Sequence, residues 1–168
     1  ETYNVDHPVD GWMGRLPGDH SNPITESSRA IGCPACVRPC RRRYESARLA
    51  EEQCIECGWY STKDDDVKIL GTDLIQEYGI NVMDISFTKN YDYLTKLYRL
   101  GILGPGKQID SGSPLIDEFA KGTAQGVESF IQAIAYKKGI GADLADGITR
   151  AAIKWGRYEE DIETGFLL

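Results

Sequence analysis

The sequence predicts an all-α, multihelical fold of about five or six helices, behind an irregular N-terminal arm and a cysteine loop. Three observations predict it. From Tyr44 onward apolar residues recur at helical spacing. The periodic stretches end on glycines, where helices commonly stop. No stretch alternates apolar and polar residues as a half-buried strand does; Ile80 to Phe87 comes nearest and reads equally as a buried connection.

Residues 1–27 form the arm. It contains Pro8, Pro17, Pro23, Gly11, Gly14 and Gly18, and nothing periodic runs through it. The chain opens on Glu1 and not on Met, so the expectation is a fragment or processed product. Residues 28–168 form the main domain. Its first clear apolar face is Val67, Leu70, Leu74, Ile75 and Tyr78, led by Asp64, Asp65 and Asp66 and stopped at Gly79. Phe87, Tyr91, Leu94 and Tyr98 make a second face, ending at Gly101, and Gly104-Pro105-Gly106 is a loop. Ser113 is expected to cap a short helix with Pro114 at its first position. Val127, Phe130, Ile131 and Ile134 form the next face, closed by Lys137, Lys138 and Gly139. Leu144, Ile148, Ala151, Ala152 and Trp155 form the last, before Gly156. Tyr91, Tyr98 and Trp155 fit these core stripes better than a cofactor box. Gly139-Ile140-Gly141 lies between two helices with no strand before it, which argues against a dinucleotide fingerprint.

The chain has 168 residues, enough for one domain with a real core, and a net charge of −7. That acidity argues against a nucleic-acid partner. No apolar run approaches the ~20 residues of a membrane span, and no signal peptide is visible. All five cysteines lie between Cys33 and Cys57. An odd, tightly bunched set suits reduced thiols of the cytoplasm that bind metal better than a disulfide scaffold.

The thiols support two readings. Cys33, Cys36 and Cys40 form a C-x2-C-x3-C triplet, which suits three irons of an iron–sulfur cubane held by one loop. Arg38 and Arg41 to Arg43 would then offset the cluster's negative charge. Alternatively Cys33/Cys36 and Cys54/Cys57 are the two C-x2-C pairs of a zinc ribbon, a binding module with a helical tail, and Cys40 is left over. Zinc knuckles sit on turns between short strands, whereas Tyr44 to Gln53 reads as helix. Cys54 and Cys57 also read as small buried hydrophobes.

The ordered set resembles the tungsten-containing aldehyde:ferredoxin oxidoreductase family. The residues that carry the resemblance are Cys33-Pro34-x-Cys36-x3-Cys40, then Glu51-Glu52-Gln53-Cys54-Ile55-Glu56-Cys57, then Gln76-Glu77-Tyr78-Gly79-Ile80-Asn81. The passage Ile131 to Gly141 and its continuation Asp146 to Ala152 extend it, so that it covers roughly residues 28 to 156.

The resemblance implies that Cys33, Cys36 and Cys40 hold a 4Fe–4S cluster. It implies that Gln76, Gly79, Ile80, Asn81 and Val82 form one motif of a tungsten (or molybdenum) bis-pyranopterin site. It makes Glu51 and Glu56 the acid/base candidates, although a solvated face explains either equally well. Expected partners are a ferredoxin-like electron carrier or iron–sulfur subunit, a small-molecule substrate, and the remaining domains of the same enzyme; a homo-oligomer stays open. The arginine run Arg41 to Arg43 also suits an acidic ferredoxin. Gln76 and Asn81 stand where the family has aspartates. Cys54 and Cys57 fall in a segment that is otherwise acidic and aromatic, which points to a divergent branch such as the tungsten subunit of benzoyl-CoA reductases. The family's fourth cluster cysteine, its second pterin motif, a histidine near the metal and a β-rich first domain have no counterparts here; the two histidines, His7 and His20, both fall in the arm. The expected role is the middle, helical portion of a longer enzyme, with little catalysis alone.

Overall fold

The computed structural model describes residues 28–31, 34–35, 41–44, 52–53, 64–81 and 90–167. The described residues hold seven helices. These are α1 (Asp65–Tyr78), α2 (Asn90–Arg99), α3 (Ile116–Lys121), α4 (Ala124–Ala135), α5 (Gly141–Leu144), α6 (Ile148–Lys154) and α7 (Tyr158–Glu163). The multihelical fold is as expected.

α4 is the centre of the packing. It lies against α1, α3 and α5, while α5 continues onto α6 and α6 onto α7. Its buried face is Val127, Phe130 and Ile131, with Ile134 partly buried at the edge, as the spacing predicts. Phe130 stacks on Phe119 of α3 with ring centroids 4.1 Å apart. Gly126 lets the two helices meet: a Cβ there would stand 2.4 Å from the backbone carbon of Glu118. From α1, Val67, Leu74 and Ile75 enter the same core, with Leu70 and Tyr78 at its margin.

The structure corrects several expectations. A three-stranded antiparallel sheet, β1 (Ser28–Ile31), β2 (Arg41–Tyr44) and β3 (Glu52–Gln53), stands in the segment read as loop and helix. Arg-Arg-Arg-Tyr carries no apolar alternation, so no periodicity could announce β2. The second helical face is rotated: Tyr93, Leu94 and Leu97 are its buried residues, and Tyr98 is only partly covered. Ser113 does not cap α3. The Ser113–Pro114 peptide is cis and the helix begins after Leu115. The Leu115 amide donates to Ser129 Oγ of α4 at 2.9 Å, so a neighbouring helix satisfies one of the free amides of this terminus. The last predicted helix is two, α5 and α6, separated at Gly147, whose φ of 95° no helix accommodates. α7, beyond Gly156, was not expected at all.

Candidate cofactor-binding site

The turn after α1 holds four of the five residues expected at the pterin. Asp64 caps the start of α1, accepting from the amides of Asp66 at 3.0 Å and Val67 at 3.4 Å. At the other end Gly79 takes the left-handed conformation, φ 64° and ψ 32°. Its amide donates to the Gln76 carbonyl at 3.3 Å, and that of Ile80 to the Ile75 carbonyl at 3.0 Å. This pair of bonds is the Schellman closure, with half-buried Ile80 resting on the core as its apolar contact. A Cβ on Gly79 would meet nothing within 4 Å. The backbone of this turn is therefore open to a flat group, and Gln76 (half-buried) and Asn81 (exposed) flank it with amide side chains. Tyr78 meets Tyr136 edge-on, centroids 5.6 Å apart, which sets the turn beside the end of α4. The Tyr136 hydroxyl, followed by burial, raises the Tyr78 phenol above its ordinary range. Val82 lies outside the described residues.

The second element is the sheet. β1 pairs with β2 from Ser28↔Tyr44 to Ile31↔Arg41, and β2 pairs with β3 through Arg41↔Gln53 and Arg42↔Glu52. The C-x2-C-x3-C segment thus forms the connection of the β1–β2 hairpin. Within it Pro34 and Ala35 make an exposed turn, with Ala35 at a φ of 62°. Cys33, Cys36 and Cys40, Cys54 and Cys57, and Glu51 and Glu56 lie outside the described residues. The strands on either side of them remove one objection to zinc: Glu52–Gln53, read as helix, is strand. Among the described residues no three His, Cys, Asp or Glu side chains are grouped to hold a metal.

Spacing along the sequence does not announce the buried polar groups. Asp161, fully buried, accepts from Tyr93 Oη at 2.6 Å and from Arg157 Nε at 3.1 Å. Arg157, itself buried, also reaches Glu160 at 3.0 Å. The hydrogen bond to Asp161 raises the Arg157 pKa further. Burial, then the bond to Asp161, pushes the Tyr93 hydroxyl far above the tyrosine range. The i,i+4 spacing of Arg157 and Asp161 was visible; the 68-residue reach to Tyr93 was not. Lys68, Thr72 and Asp73 are buried on α1, with Lys68 paired to Asp65 at 3.3 Å. On α5, Asp143 accepts from Trp155 Nε1 at 2.8 Å and also pairs with Lys154. The Tyr93–Asp161 bond ties α2 to α7, and the Trp155–Asp143 bond ties the end of α6 to α5.

The family model for aldehyde ferredoxin oxidoreductase, domains 2 & 3, matches residues 14–165. The chain belongs to this family. The match takes in both the C-x2-C-x3-C segment and the Gly79 turn. It makes the chain part of an oxidoreductase-type enzyme. No curated protein matches the chain. Among the described residues no helix is long and apolar enough to cross a membrane.

Proposed function

We propose that this chain is the helical portion of an iron–sulfur tungstopterin oxidoreductase of the cytoplasm, passing electrons between an aldehyde or carboxylate-type substrate and a ferredoxin-like carrier. The observation that carries the reading is the family match over residues 14–165, spanning both the triplet and the turn. The donor sets fit the two groups. Three thiols on one hairpin connection suit iron. An open left-handed glycine flanked by two carboxamides suits the edge of a pterin.

Bound there, the pterin metal would supply the two-electron chemistry and the cluster would carry electrons singly. The chain's own work is positional. Gly79 and Ile80 present backbone, Gln76 and Asn81 hydrogen-bond, and Val82 follows them. Both amides are neutral, so they orient a pterin by hydrogen bonds alone, where aspartates would add charge. Glu51 and Glu56 are the acid/base candidates, and Arg41 to Arg43 offset cluster charge or meet an acidic carrier. The thiols at Cys54 and Cys57 fit a divergent branch, such as the tungsten subunit of benzoyl-CoA reductases. The other domains of the enzyme and the substrate complete the set of partners.

The strands flanking the thiols favour one second reading, a zinc ribbon on Cys33, Cys36, Cys54 and Cys57. Anaerobic purification with metal and sulfide analysis separates the two. Iron with matching acid-labile sulfide, and a visible absorption that bleaches in air, support the proposal. A colourless chain with one zinc would overturn it.

A further inference from the structure

The last turn of α1 carries the candidate site, and the deep anchors of that helix stop short of it. Val67, Leu74 and Ile75 are buried, and no residue of α1 beyond Ile75 is. The two Schellman bonds fix the shape of the turn but not the way it faces, because both return to carbonyls of α1 itself. Direction has to come from side chains that reach outside the helix. Half-buried Ile80 rests on the core just after the turn, and Tyr78 reaches the end of α4 just before it.

Two residues of α4, one helical turn apart, receive Tyr78. Tyr136 meets its ring edge-on with centroids 5.6 Å apart, and the Tyr136 hydroxyl is the strongest influence on the Tyr78 phenol. The Gln132 side chain hydrogen-bonds the same phenol. Gln132 is held in turn by Glu128, to whose Oε1 its Nε2 donates at 3.1 Å. The Lys138 ammonium stands 5.5 Å from the centroid of the Tyr136 ring, a cation–π distance. Tyr136 is nonetheless 58% exposed, so it adds little to the core. Its contacts orient more than they stabilise. We propose that Tyr136 is a positioning residue for the cofactor turn: with Gln132 it grips Tyr78, and so aims Gly79 and the carboxamides of Gln76 and Asn81. This rests on the reading of that turn as a pterin contact and adds the residue that directs it. Tyr136 acts through Tyr78 and not by touching the cofactor.

The test uses the full 168-residue chain and a free pterin, 6-hydroxymethylpterin, as the probe. Binding is followed by pterin fluorescence and by amide chemical shifts, and hydrogen exchange is read at Gly79 and Ile80, whose amides close the turn. In the wild type the pterin should shift these two amides. Tyr136→Ala should weaken pterin binding about fivefold, the scale of one edge-on aromatic pair, and speed exchange at Gly79 and Ile80 by a similar factor. Exchange at Leu74 and Ile75, and the thermal midpoint, should stay at wild-type values. Tyr136→Phe keeps the ring and loses the hydroxyl, so it should recover part of both losses. Wild-type binding and exchange in Tyr136→Ala would overturn the positioning role and leave the pterin reading of the turn intact. Faster exchange along all of α1, or a lower midpoint, would show a general structural role and overturn it too. Weaker binding with unchanged exchange would make Tyr136 a direct contact, against the proposal. A wild-type chain that carries iron and sulfide but binds no pterin at the turn would overturn the pterin reading, and this assignment with it.

Discussion

At the scale of single residues, the buried triad of Tyr93, Arg157 and Asp161 has the largest energetic leverage. Asp161→Ala leaves Arg157 buried without its main carboxylate, and should cost about 3–5 kcal/mol in urea unfolding. Tyr93→Phe removes one hydrogen bond to a charged acceptor and keeps the ring, so about 1.5–3 kcal/mol is expected. The second variant has a pH signature as well. The folded chain holds the Tyr93 proton beyond the pH at which unfolded tyrosines release theirs, ~10. A raised pKa gives stability that is complete below that pH and is lost as pH rises past it. The urea midpoint of the wild type should therefore fall above about pH 10, and that of Tyr93→Phe should fall less steeply. A parallel decline in the two proteins would mean that Tyr93 does not titrate as argued. None of this triad could be read along the chain. Arg157 and Asp161 look like an ordinary solvated i,i+4 pair until the fold brings a tyrosine from α2 onto them.

Among the elements, legibility followed how locally each end is satisfied. α1 was readable at both ends, because Asp64 and Gly79 act within their own turn. The core face of α4 was readable because Val127, Phe130 and Ile131 keep strict helical spacing. The start of α3 was not, since it has no side-chain cap and its Leu115 amide bonds to a serine on another helix. The sheet was not, because its pairing is long-range and its strands carry no alternation. For the candidate site, the glycine turn was legible and the strands that flank the thiols in sequence were not. Two glycines test the element-level argument by contrast. Gly79→Ala meets open space and pays only for the left-handed backbone, about 1 kcal/mol. Gly126→Ala drives a methyl into the backbone of α3 and should cost about 1–3 kcal/mol or more, with the α3–α4 contact loosened. Thermal unfolding of the two variants should rank them in that order; equal losses would refute the close approach.

For the whole molecule, the core of the described residues is built from aliphatic and aromatic side chains of α1 to α6, joined by Leu103, Ile109, Ile140 and Leu167 from the segments between and after the helices. Apolar burial of this kind should hold the helices whether or not metal is bound. Stripping the chain with a strong chelator should abolish the visible absorption and leave most of the far-ultraviolet helical signal. A collapse of that signal would show that the metal holds the helices as well as the hairpin. Acidity belongs to this scale too: with a net charge of −7, the arginine run beside the thiols is a local exception in an otherwise repulsive field for anionic carriers.

The double closure of α1 also restricts how related chains can differ in length. Asp64 seals one end and Gly79 the other, so the helix between them has no slack to absorb a residue. Adding one residue inside it would swing everything beyond the insertion by about 100° around the axis. Val67, Leu74 and Ile75 could then no longer share a side with Tyr78, and the glycine turn would point elsewhere. Insertions and deletions among homologues should accordingly fall before residue 64 or after residue 81, leaving the interval between them constant in length while its surface residues drift.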